Sequence, residues 1–108
     1  MKLVVAIIHD DDAPLVMRTL NEKRYFVTKL ATKGGFLKAG NTTLLIGVEE
    51  EKVENVLKIF EENCKSRTQL TTLTAPYGAM QGYIPKPIEV KVGGATVFVL
   101  DVEQFYKY

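Results

Sequence analysis

Two stretches of helical periodicity, each set between runs that read as strands, constrain this chain most. Ala13, Val16, Met17 and Leu20 recur at i, i+3, i+4 and i+7, and Val53, Val56, Leu57, Phe60 and Cys64 repeat the pattern further along. Each stripe gives a helix one apolar face that must be covered by something else. The acidic triplet Asp10-Asp11-Asp12 offers an N-cap to the first helix, with Pro14 in the first turn where its missing N–H costs nothing, and that helix is expected to end near Lys23. Glu49-Glu50-Glu51 opens the second, where acids suit the positive end of the helix dipole.

The runs between them supply the cover. Leu3 to Ile8 is apolar and rich in β-branched residues, the pattern of a central strand covered on both faces. Tyr25 to Ala31 and Thr42 to Val48 read as an antiparallel pair, and Thr68 to Ala75 as a fourth strand. Pro76 to Tyr83 is a loop by its Pro and Gly content. Ile88 to Val92, Gly93-Gly94 and Ala95 to Leu100 read as a hairpin with a primed turn, and Val102 to Phe105 as one closing helical turn. The order predicts an α+β fold: a ferredoxin-like βαββαβ plait with a C-terminal β-hairpin extension, in one domain spanning residues 1–108. A plait covers one sheet face with helices. The apolar strands favour another subunit of the same chain on the other face.

Charge points to a partner. From Lys23 to Val48 the chain carries Lys23, Arg24, Lys29, Lys33 and Lys38 and no Asp or Glu, whereas the whole chain holds 14 basic and 13 acidic residues. A cationic window on an otherwise acidic body suits an anionic ligand. Within it, Gly34-Gly35-Phe36-Leu37 and Gly40-Asn41-Thr42-Thr43 place two glycine turns around a short arm. Backbone N–H groups freed by glycine suit phosphate, the Phe36 ring suits a base, and Asn41 and the threonines suit a base edge. A tight turn, a core contact and solvated lysines explain these residues singly; for the lysines only their grouping carries weight, while Phe36 and Leu37, set between glycines in a loop, need a partner such as a base or another subunit.

Other chemistries find less support. His9 is the only histidine and no GxSxG or CxxC occurs, so no nucleophile has a partnering base and the chain is expected not to be an enzyme. The run His9-Asp10-Asp11-Asp12 has metal-ligand residue types, but capping and solvated charge explain it more simply, and no metal or cofactor is expected. Cys64, the single cysteine, lies on a helical stripe and reads as a core residue. Neither a signal-peptide core nor a membrane span is evident, which predicts a cytoplasmic protein.

The run VTKLATKGGFLKAGNTTLLIG, with ENCKSR at 62 to 67 and VGGATVFVLDVEQF at 92 to 105, resembles the PII-like signal-transduction proteins that act as cyclic di-AMP receptors. The resemblance covers essentially the whole chain and implies a ferredoxin-like homotrimer with one cyclic di-AMP in each intersubunit cleft. It further implies that Thr28, Gly35, Phe36, Leu37, Asn41 and Gly47 line that cleft, with Phe98 joining them. Members of the family carry arginine two residues before the threonine of VTKLA, where this chain has Phe26. Arg24, two residues earlier and about 7 Å away on the same strand face, is the expected substitute.

The expected function is therefore non-enzymatic signal transduction: cyclic di-AMP orders the glycine arm and the loop from Pro76 to Tyr83, and a downstream protein reads the change. Two alternatives compete. A PII-type sensor of ATP and 2-oxoglutarate carries its long loop between the second and third strands, whereas Thr32 to Gly40 is short here. A small nucleic-acid-binding module needs a broader basic footprint than five cations on a chain of net charge +1.

Overall fold

A computed structural model of the protein describes residues 1–30, 40–72 and 87–108. Among these, strands β1 (Lys2–His9), β2 (Val27–Leu30), β3 (Asn41–Val48) and β6 (Ala95–Asp101) form one antiparallel sheet in the order β2-β3-β1-β6. Helices α1 (Ala13–Glu22) and α2 (Val53–Asn63) connect β1 to β2 and β3 toward the later strands. Strands β4 (Arg67–Thr72) and β5 (Pro87–Val92) pair with each other in a separate two-stranded ribbon. This small α+β architecture is compatible with a ferredoxin-like plait.

The fourth position of the plait is filled by β6, not by the strand beginning near Thr68, and the expected β5–β6 hairpin does not form. Gly93 and Gly94 both take positive φ, +86° and +80°, as a primed turn requires, yet the strands they join diverge into different sheets. Pairing with β1 is what β6 gains: Val97 lies beside Ala6 and Val99 beside Val4, next to the apolar center of the sheet. Val102 to Phe105 forms no helical turn. Its backbone instead stays with the sheet, the Val102 N–H donating to the carbonyl of Met1 at 3.2 Å. A single turn fixes several dihedrals for one hydrogen bond, so an exposed tail does not nucleate one unaided.

Strand alternation decides which side chains meet the helices. On β1, Val4, Ala6 and Ile8 are sealed against α1 and α2, along with Leu44, Ile46 and Val48 of β3. Val16 and Leu20 of α1, Val56, Ile59 and Phe60 of α2, and Cys64 close the core from the other side. Leu57 of the expected stripe is only half-buried, while Ile59, outside it, is 3% exposed. The second helix starts as a short 3-10 turn at Glu50–Lys52, which puts Glu50 and Glu51 at its positive end.

Helix α1 ends in a Schellman motif. The Tyr25 N–H donates to the Leu20 carbonyl at 2.9 Å and the Arg24 N–H to that of Asn21 at 3.0 Å, while Arg24 takes the left-handed conformation with φ +65°. Tyr25 then packs onto the core cluster that contains Leu20. Arg24 is committed to terminating the helix, and β2 begins only at Val27. The strand alternation that was expected to carry Arg24 onto the face of Thr28 therefore does not reach it.

Candidate functional site

Neither described helix covers the second face of the main sheet. Register places Thr28 of β2 opposite Leu45, Gly47 of β3 opposite Leu3, Phe98 of β6 opposite Val5, and Asn41 opposite His9. All four therefore share the face of Leu3, Val5 and Ile7, away from the core. Phe98 is 51% exposed and its neighbour Leu100 49%, unusual for large apolar side chains in the middle of a strand. Gly35, Phe36 and Leu37 lie outside the described residues.

A cavity of about 700 Å³ opens on this face. Leu3, Thr28, Leu45 and Gly47 form its floor, and Phe26, Val102 and the C-terminal residues Phe105, Tyr106 and Lys107 enclose it. A Cβ added to Gly47 would meet nothing within 4 Å, so the chain's own packing does not require glycine there. What a side chain would occupy is cavity space. The Lys107 ammonium lies 5.2 Å from the centroid of the Phe26 ring, and that ring is otherwise in solvent, with Phe26 82% exposed. Tyr106 and Tyr108 stack beyond it, with centroids 6.4 Å apart and planes at 11°. The cavity thus combines apolar floor, aromatic rings and one cation.

Of the expected site residues, Thr28 and Gly47 meet in this cavity. Arg24 does not line it. Asn41 stands at the opposite end of β3 from Gly47, six strand residues or about 20 Å away. Phe98 lies on the far side of β1, on the same face but outside the cavity. The contributions of Phe26 and of the tail were not read from the sequence. The aromatic density of the last four residues, FYKY, was their one visible signal.

Next to Asn41, the acidic turn between β1 and α1 makes specific contacts. The Thr42 hydroxyl donates to an Asp10 carboxylate oxygen at 2.5 Å, and the Asp10 N–H donates to the Gly40 carbonyl at 2.8 Å. Thr42 is buried, and its hydroxyl proton is given to Asp10. Asp12 occupies the N-cap position of α1 but makes no side-chain cap bond; its Oδ1 accepts from the Arg67 guanidinium at 3.3 Å instead. The Asp11 N–H donates to His9 Nδ1 at 3.1 Å. Among the described residues no three His, Cys, Asp or Glu side chains converge to hold a metal ion. Cys64 is 3% exposed, and burial, with Asp12 nearby, pushes its thiol up to about 11. At neutral pH it is a protonated core group rather than a nucleophile.

These features find a counterpart among known proteins. Residues 1–108, the whole sequence, match the family model of the cyclic-di-AMP receptor. The chain belongs to the cyclic-di-AMP receptor family. The family assigns it a ligand-binding role, and the ligand class agrees with an anion-seeking basic window and an aromatic-lined cavity. A protein of unknown function from Pediococcus pentosaceus ATCC 25745 has a similar crystal structure, with 43% sequence identity and a TM-score of 0.72 over 99% of this chain and 96% of that one. No helix among the described residues is long and apolar enough to cross a membrane.

Proposed function

We propose that this protein is a non-enzymatic, cytoplasmic signal-transduction receptor that binds cyclic di-AMP on the open sheet face, at clefts between the subunits of a homotrimer. The observation that carries the reading is the meeting of Thr28 and Gly47 in the 700 Å³ cavity, with Gly47 leaving space that its own chain does not fill. Adenine rings suit Phe26, Phe105 and Tyr106, and the phosphates suit Lys107 and the basic window. No further cofactor is needed for binding.

The separation of Asn41 from Gly47 supports an intersubunit cleft. Two site residues about 20 Å apart on one face are more readily brought onto one small ligand when each comes from a different chain. The exposed Phe98 and Leu100 give the sheet face an apolar surface for that contact. A downstream protein then distinguishes the free from the ligand-bound receptor through its differential affinity for the two states.

Titration calorimetry tests the reading. Cyclic di-AMP should bind with one site per chain, while ATP, with or without 2-oxoglutarate, and a short single-stranded oligonucleotide should give no saturable heat. Binding of ATP in place of the cyclic dinucleotide would reassign the ligand. Light scattering should return the trimer mass with and without ligand, and a monomer mass at micromolar concentration would overturn the intersubunit cleft.

A further inference from the structure

The turn from His9 to Asp12 touches two parts of the molecule that are far apart in sequence. Through Asp10 it holds Gly40 and Thr42, the residues on either side of Asn41. Through Asp12 it holds Arg67, the first residue of the β4–β5 ribbon. The turn itself is tight: the Asp12 N–H donates to the His9 carbonyl at 3.0 Å and the Ala13 N–H to that of Asp10 at 3.3 Å. Its two ends are anchored by Ile8 and Ala13, which are 1% and 3% exposed.

The far contact is built with care for space. Gly93, at the other end of the ribbon base, takes φ +86°, and a Cβ there would stand 2.6 Å from the Lys65 carbonyl oxygen and 2.9 Å from the Arg67 guanidinium. Any larger residue would displace the group that reaches Asp12. The Asp12 side chain is 9% exposed, so its charge depends on Arg67 for compensation, and its second oxygen has no hydrogen-bond partner among the described residues. Pairing between a buried carboxylate and a half-exposed arginine holds the ribbon base to the start of α1.

We infer that the turn from His9 to Asp12 is a coupling element: Asp10 and Asp12 are positioning residues that tie the conformation around Asn41 to that of the base of the β4–β5 ribbon. This deepens the receptor reading, on which its signalling role rests, by naming the route from the ligand to a second element. A ligand that fixes Asn41 fixes Gly40 and Thr42, hence Asp10. The same four-residue turn then holds Asp12 and Arg67 in register, and the ribbon base becomes more protected. By linkage the route runs both ways, so a partner that grips the ribbon tightens ligand binding by the same factor.

Hydrogen exchange on the full chain tests the coupling without ligand. Thr42→Val removes the hydroxyl that bonds Asp10 and leaves the ribbon untouched. Amides at the ribbon base, residues 67–70 and 90–92, should exchange roughly fivefold faster relative to the α2 amides, whose exchange reports global stability. Arg67→Met should give at least that acceleration, Arg67→Lys should partly restore protection, and Thr42→Val added to Arg67→Met should produce no further change. Saturating cyclic di-AMP should slow ribbon-base exchange in the wild type but not in Arg67→Met, with the dissociation constant within about threefold of wild type. Wild-type ribbon rates in Thr42→Val, or effects that simply add in the double variant, would overturn the coupling. If the wild type binds no cyclic di-AMP, the receptor reading falls, and the ligand-free cycle still decides whether the turn couples its two contacts.

Discussion

The same three strands present two surfaces with opposite fates. Toward α1 and α2, Val4, Ala6, Leu44 and Ile46 have no solvent exposure, and each meets the helices. One residue along, Leu3, Val5 and Leu45 are only half-buried, Gly47 is exposed, and Phe98 is half in solvent. Both surfaces are apolar, so hydrophobicity alone does not separate them. Coverage does: the first surface is completed by its own chain and holds the fold, whereas no described helix covers the second, the surface proposed to take the ligand and other copies of the chain. Substitutions on the two faces should therefore fail in different assays.

The largest effect belongs to the closed face. Phe60→Ala removes a fully buried ring and should cost about 3–5 kcal/mol of stability, seen as a fall in the urea midpoint at unchanged slope. Gly47→Leu breaks the other face. It should weaken cyclic di-AMP binding by about 3 kcal/mol, roughly a hundredfold, through overfilling of the cavity, while the midpoint stays level or rises because glycine in a strand interior is unfavourable. A variant that loses stability along with binding would place Gly47 in the fold rather than in the site.

Asn41→Ala comes next, at about 1–3 kcal/mol of binding energy from hydrogen bonds to a base that is then left unpaired, again without a change in midpoint. An unchanged dissociation constant would remove Asn41 from the site. Lys107→Ala should be the smallest, about 0.5–1 kcal/mol or two- to fivefold in affinity, because the residue is exposed and its ammonium rests on the Phe26 ring. No change at all in calorimetry would make the tail a bystander.

Much of the closed face was legible in the sequence because local periodicity reports burial directly. The stripe Ala13, Val16, Leu20 and the stripe Val56, Phe60, Cys64 are core residues, and the β-branched run from Leu3 to Ile8 is the central strand. What failed was pairing at long range. Gly93-Gly94 between two apolar runs has the local pattern of a hairpin, but β5 pairs with β4 and β6 with β1, a choice made by contacts that no short window contains. The strand-face placement of Arg24 failed for a different reason, since alternation was extended across a residue whose left-handed backbone ends a helix.

The open face was legible in part. Thr28, Asn41, Gly47 and Phe98 came from family motifs and do share one face, a geometry that composition and charge could not supply. The role of Asp12 was read as a helix cap, the commonest use of an acid before an apolar stripe. Its carboxylate instead serves Arg67, fifty-five residues away, a contact visible only once the fold brings them together. Phe105, Tyr106 and Lys107 reach the cavity because the chain after β6 remains extended past Met1.

Backbone amide spectra recorded through a cyclic di-AMP titration test most directly whether the uncovered face is the ligand's. Resonances of Thr28, Asn41, Gly47 and Phe98 should shift saturably together at one equivalent per chain, while those of Val56, Ile59 and Phe60 on the buried side of α2 hold still. Shifts concentrated on α1 and α2, or a spectrum unchanged at saturating nucleotide, would contradict the assignment of the open face as the binding surface.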